Sequence, residues 1–196
     1  MTDAPDIATR LAAAGLPADN LTTRRALLPV ALQDLHARIL TAIATTGQPP
    51  TPEQVEDWAD QLDLDAAPAL RTLADAELIF LGSSASTARG TNVPAVTGGV
   101  PFAAAGTTAH RVQITEGPEV TANCAVDALG IPAMIGRDVE IHSTDPLSRK
   151  PVSATSHGGQ WTFEPATAVV FVGSNASPSS RLTESCCPVI NFFATA

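Results

Sequence analysis

Three cysteines are the only thiols in this 196-residue chain, and two of them are adjacent. Cys124 lies three positions before Asp127, while Cys186 and Cys187 sit in the segment Ser185-Cys186-Cys187-Pro188-Val189-Ile190-Asn191-Phe192-Phe193. Positions i and i+3 of a helix share one face, so a thiol and a carboxylate at that spacing come within hydrogen-bonding reach and can exchange a proton. In a first helical turn the Cys124 thiolate is also favoured by the peptide dipoles and unpaired N–H groups. Asp127 opposes it as a neighbouring negative charge unless it accepts the proton itself. Taken alone, C-x-x-D equally fits a buried cysteine beside a capping aspartate. Adjacent cysteines close a disulfide only with a strained backbone, and in a strand their side chains point to opposite faces. One of Cys186 and Cys187, not both, is therefore expected to meet Cys124. Two thiolates and a carboxylate converging in this way would make a soft-metal site with a built-in proton carrier.

The elements that must position these groups change character near residue 80. Before it, Leu28, Leu32, Leu35, Ile39 and Ile43 recur at spacings of three and four, the mark of one buried helical face. Thr51-Pro52-Glu53-Gln54 reads as an N-cap, a first-turn proline and a capping-box glutamine, opening a helix through Val55, Trp58 and Leu62. Asp65 starts another, carrying Leu70, Leu73 and Leu78. With the short strand Ile79-Phe80-Leu81 and the turn-rich GSSASTARGTN, these suggest a winged-helix-like three-helix unit over residues 1–82. The acid-rich helices Glu53–Asp60 and Asp63–Glu77 make it a structural or docking module rather than a DNA grip.

Residues 83–108, with the Pro/Gly-rich VPAVTGGVPFAAAGTT, are expected to form a loop or linker. Residues 109–196 then read as an α+β catalytic core: strands at His110–Ile114, Arg137–Ser143, Pro151–His157, Gln160–Phe163 and Ala168–Val172, interrupted by one helix from about Ala122 to Met134. That helix holds Cys124 and Asp127 in its first turn. The fold class is α+β, the helical unit packing with a mixed or antiparallel sheet that bears one active-site helix.

Composition narrows the function. Apolar residues make up 44% of the chain, and eleven basic against twenty acidic residues give −9 at pH 7. This field repels phosphate backbones and anionic lipid, so nucleic acid and membrane surfaces are not expected partners. No stretch approaches the roughly 20 apolar residues of a membrane span, and the N-terminus lacks a basic start followed by an apolar run. A cytoplasmic location is expected. Three cysteines cannot all pair, and an odd count in a reducing compartment points to free thiols with reactivity or metal affinity.

Asn123-Cys124-Ala125-Val126-Asp127-Ala128-Leu129, Ile131-Pro132-Ala133-Met134-Ile135-Gly136-Arg137 and Ser185-Cys186-Cys187-Pro188-Val189-Ile190-Asn191-Phe192-Phe193-Ala194 resemble the organomercurial (alkylmercury) lyases. Pro101-Phe102 and Ala109-His110-Arg111-Val112 are similar to the segment that precedes that family's first active cysteine. The resemblance implies a catalytic trio of Cys124, Asp127 and Cys186, with Cys187 as an auxiliary thiol, all of them also mercury ligands. It implies protonolysis of R–Hg⁺ to R–H and Hg(II). No cofactor is required; Hg(II) is the bound product, and low-molecular-weight thiols or a mercuric reductase are its recipients. The chemistry fits: one thiolate binds the soft, linear R–Hg⁺, a second raises electron density on the attached carbon, and Asp127 carries the proton to it. Asp127 must then be protonated in mid-cycle, which calls for a raised pKa. The sequence departs from the family at Asn123, where an aromatic residue is common, in lacking a third cysteine between the two motifs, and in ending at Ala196 where familiar lyases continue into a helical tail; a more open pocket, or one covered by another subunit, is expected.

Two other readings use the same residues: a non-catalytic metal-binding or metal-sensing relative, and a structural zinc or redox thiol module with a histidine as further ligand. Among the remaining candidates, His36, among Leu32, Leu35 and Ile39, reads as a helix-surface or satisfied core residue, and His110 as structural support. His142 and His157 sit in or near strands where either could orient a site group. Asp138 and Glu140 read as a solvated strand face, Arg149 and Lys150 as turn residues, and Trp58, Met134 and Trp161 as packing.

Overall fold

Why residues 30–46 form the longest helix follows from their apolar spacing. In the computed structural model, which describes residues 21–173 and 182–195, α2 (Val30–Thr46) buries Leu32, Leu35, Ile39 and Ile43 along one face. It begins after Pro29 rather than at Leu28, since proline suits the helix entrance but not its interior. It ends at Gly47, whose φ of 74° lets its N–H reach back to the Ile43 carbonyl at 2.8 Å. A short α1 (Leu21–Ala26) precedes it, one helix more than the sequence signals show.

The capping signals hold in detail. At the start of α3 (Pro52–Gln61) the Gln54 N–H donates to Thr51 Oγ1 at 3.3 Å, and the Thr51 N–H donates to Gln54 Oε1 at 2.9 Å. At the start of α4 (Ala66–Asp75) Asp65 accepts from the Ala67 N–H. Val55, Ala59, Leu70 and Leu73 meet the α2 face in one apolar cluster.

The stretch expected as turn and linker contains a hairpin. β1 (Ile79–Ser86) pairs antiparallel with β2 (Asn92–Gly99). The Pro/Gly content of 93–100 suggests a loop, but Gly98 and Gly99 serve close approach instead. A Cβ at Gly98 would sit 2.9 Å from the Phe102 carbonyl oxygen, and one at Gly99 would sit 3.1 Å from that of Leu78. The acidic face of α3 is met by this hairpin: Arg89 pairs with Asp57 and Asp60, and Thr91 donates to the largely buried Glu56. The acid-rich helix is thus partly neutralised from within the fold.

The second half is built on a five-stranded, wholly antiparallel sheet in the order β4-β3-β5-β6-β7. Its strands are β3 (Arg111–Ile114), β4 (Glu119–Thr121), β5 (Val139–Thr144), β6 (Pro151–His157) and β7 (Gln160–Glu164). The inward residues of alternate positions, Val112, Ile114, Val139, Ile141, Val152 and Ala154, are all buried. β4 has only three residues and leaves little periodicity to read. A separate pair, β8 (Val169–Phe171) with β9 (Asn191–Phe193), brings the C-terminal segment back to the core through Phe192. The helix α5 (Ala125–Ile135) packs against β3, β5 and β9 with Ala125, Ala128 and Ile131 fully buried. Among the described residues no helix is long and apolar enough to cross a membrane.

Candidate active site

Cys124 stands one residue earlier than a first-turn position: it is the N-cap of α5. There its sulfur does what a serine or aspartate oxygen usually does, accepting the Asp127 N–H at 3.4 Å. The thiol in turn donates to Asp127 Oδ2 at 3.2 Å. The i,i+3 spacing therefore closes a reciprocal pair, and the proton path expected from C-x-x-D exists as a hydrogen bond. Cys124 is only 3% exposed.

The second thiol arrives through backbone ties. The Ala125 N–H donates to the Ile190 carbonyl at 3.1 Å, fastening the start of α5 to the segment after the vicinal cysteines. That segment is a 3₁₀ turn, Cys187–Val189, closed by Val189 N–H to Cys186 O and Ile190 N–H to Cys187 O. The turn aims Cys187 at the helix: one ligand atom each from Cys124, Asp127 and Cys187 lie within 4.8 Å of one another. Cys186 stands outside this cluster, with its sulfur 3.7 Å from Ser185 Oγ. Only one of the adjacent thiols faces the site, as their chemistry requires. The structure places Cys187 there, whereas the family resemblance assigns that place to Cys186; the turn, not a strand, sets which side chain points inward.

Burial and pairing separate the protonation states of the three groups. The neighbouring Cys187 thiol, burial and the Asp127 carboxylate all push the Cys124 thiol up. The same contact with Cys124 lowers Cys187, so Cys187 ionises first and Cys124 keeps its proton. Burial raises Asp127 to about 6, with the hydrogen bond from Cys124 pulling the other way. An acid with this value is available in both forms near neutral pH.

This carries a stability consequence. A carboxyl whose folded pKa lies above its ordinary 3.8 favours the fold while protonated, and that contribution is lost as pH rises from about 4 through about 6. Asp127→Asn removes the charge, so at pH 7 it is expected to stabilise the protein by roughly 1–3 kcal/mol and raise the melting temperature by a few degrees. Thermal melts of both proteins between pH 4 and 8 check this: the difference should shrink towards the acid end.

Other groups support the cluster without joining it. His110 is buried, with Nδ1 2.9 Å from Ser143 Oγ and its ring edge-on to Phe192, and burial lowers its pKa; it braces β3 against β5 and β9. His142 lies 3.4 Å from Glu140, and the exposed His157 lies 3.3 Å from Asp138; neither joins the cluster of Cys124, Asp127 and Cys187. Asp138 also accepts from the Gly158 N–H, which makes it a turn anchor rather than part of a merely solvated face. A residue the sequence reading passed over is Asp145. Buried after β5, it accepts from the Ser148 hydroxyl, the Leu147 and Ser148 N–H groups and the Ala194 N–H. These bonds, the Ser148 hydroxyl first, hold its carboxyl well below the usual range, and they pin the end of β9, the strand that follows Cys187. The signal was Asp145-Pro146-Leu147-Ser148, a side-chain-capped turn between strands. Beside Cys187 opens a cleft of about 360 Å³, reached by Thr108, His110, Asn123 and Asn191. The Asn123 Nδ2 there is buried without a partner.

A helical unit with a hairpin, an antiparallel sheet and a buried thiol–carboxyl–thiol cluster at a helix N-terminus define a thiol centre suited to a soft metal with a proton donor attached. Residues 103–196 match the family model of MerB, alkylmercury lyase. An alkylmercury lyase of Streptomyces lividans is 29% identical over 159 residues, which cover 81% of this chain and 66% of that protein. The chain thus spans about two thirds of the length of this curated relative. Among solved structures, the mercury-bound form of MerB2 shares the fold with a TM-score of 0.64 at 18% identity, over 89% of this chain and 79% of that one.

Proposed function

We propose that the protein is an organomercurial lyase that cleaves R–Hg⁺ by protonolysis. The observation that carries this reading is the hydrogen bond from the Cys124 thiol to Asp127 in reach of a second thiol, Cys187. A soft two-coordinate cation prefers two sulfurs, and a carbon leaving mercury needs a proton; this cluster holds both.

The sequence of steps follows from the protonation states. Cys187, the thiol that ionises first, takes R–Hg⁺ and displaces the halide or small thiol it carries. As the Cys124 sulfur binds mercury, its proton passes along the existing hydrogen bond to Asp127. Bonded now to two sulfurs, mercury donates electron density to the attached carbon. Asp127 gives that carbon its proton, and the Hg–C bond pair goes to the new C–H bond. R–H leaves, Hg(II) remains on two thiolates, and Asp127 returns to the carboxylate. Low-molecular-weight thiols or a mercuric reductase then take Hg(II), in a reducing cytoplasm and in the service of mercury detoxification.

The test is release of benzene from phenylmercury by the purified protein in excess small thiol, followed by gas chromatography. Many equivalents of benzene per protein are expected. Benzene formed no faster than in protein-free buffer would refute the reading. Asp127→Asn should still bind the mercurial but release R–H about 10²–10⁴-fold more slowly, the usual worth of a positioned general acid.

A further inference from the structure

Behind the active-site helix, at the end away from Cys124, lies a second cavity of about 760 Å³ between α1, α2 and the C-terminal end of α5. This is within the size range of small-molecule sites. Leu40, Met134 and Ile135 supply apolar walls, while Arg25, His36 and Arg137 supply the polar groups. Two observations on these groups point to a ligand. His36 is 4% exposed, yet neither ring nitrogen makes a hydrogen bond of full geometry and only the Leu78 backbone pulls weakly on the ring, a condition that buried polar groups rarely tolerate. Arg25 and Arg137 each donate to a backbone carbonyl, those of Gln33 and Thr115, and neither pairs with a carboxylate among the described residues. In a chain with twenty acidic residues and eleven basic ones, two guanidiniums without acidic partners at the same apolar cavity are an arrangement complementary to an anion.

We propose that this cavity binds a small amphipathic carboxylate, its head held by Arg25 and Arg137, its apolar body on Leu40, Met134 and Ile135, and His36 at the wall as a neutral hydrogen-bond donor. Burial first, then Arg25, lowers His36 to about 4, against a weaker pull from the Leu78 backbone, so the ring is an uncharged donor near neutral pH. Two planar guanidinium forks match a carboxylate head bidentately; they match a phosphate as well, and the octyl phosphate titration below separates the two. The site is independent of the mercury chemistry at Cys124, and its test needs no turnover.

The full chain is titrated calorimetrically with octanoate, octanol, octyl phosphate and octyltrimethylammonium, each below its micellar concentration. Octanoate is expected to bind saturably at submillimolar concentration and at least about tenfold more tightly than octanol, with the cation not binding. Arg25→Gln and Arg137→Gln should each weaken octanoate about fivefold while leaving octanol unchanged, and His36→Leu should weaken it without lowering the melting temperature. Equal affinity for octanoate and octanol, tighter binding of octyl phosphate than octanoate, or no saturable octanoate binding up to about 10 mM would each overturn the proposal.

Discussion

Cys124→Ser is expected to release no benzene from phenylmercury above background, a loss of at least about 10³-fold. The reason is chemical rather than structural. Serine is a better helix N-cap than cysteine, so the bond from the Asp127 N–H survives and α5 keeps its start. What disappears is the sulfur. A hydroxyl is a hard, weakly acidic group that neither binds R–Hg⁺ nor shares electron density with it, and it leaves mercury on one thiolate, where the Hg–C bond is stable. The same substitution removes the proton that Asp127 receives in the first half of the cycle. The measurement pairs benzene release with a thermal melt: activity lost at an unchanged or slightly raised melting temperature is the expected result. Turnover comparable to wild type would remove Cys124 from the mechanism altogether.

How far the sequence reaches depends on how local each signal is. The capping box at Thr51 and Gln54, the stripe Leu35–Ile39–Ile43 and the pairing of Cys124 with Asp127 rest on residues within a few positions of one another, and each is present in the fold. The hairpin strand Asn92–Gly99 was hidden because its glycines look like turn signals, although what demands them is the nearby backbone of Leu78 and Phe102. The Asp145 turn has a local signal in Asp145-Pro146-Leu147-Ser148, but its tie to β9 does not, because the partner Ala194 lies far along the chain. The choice between Cys186 and Cys187 has the same origin. Side chains that alternate in a strand do not alternate in a 3₁₀ turn, and the turn is held by the contact of Ala125 with Ile190, which no spacing reveals. His36 passed as an ordinary helix residue because the sequence gives no sign that its nitrogens lack hydrogen bonds of full geometry.

The vicinal pair gives the other large effect. Cys187→Ser is expected to reduce benzene release at least about 10²-fold, and Cys186→Ser to leave a substantial fraction of it. The argument is geometric. Cys187 shares the 4.8 Å cluster with Cys124 and Asp127, whereas Cys186 lies against Ser185. To exchange them, the turn would have to shift by one residue. That would break the bonds from Val189 to Cys186 and from Ala125 to Ile190, the second of which also anchors the helix start. Two backbone hydrogen bonds at about 0.5–1.5 kcal/mol each set the scale of that barrier. Binding to a second thiolate exceeds this scale for so soft an ion, so the test also asks whether mercury re-registers the turn. If Cys186→Ser abolishes release and Cys187→Ser does not, the family's assignment holds in the loaded enzyme, and the turn Cys187–Val189 must move when R–Hg⁺ binds. If both single variants keep most of the activity, the two thiols substitute for one another, and only the double variant will be inert.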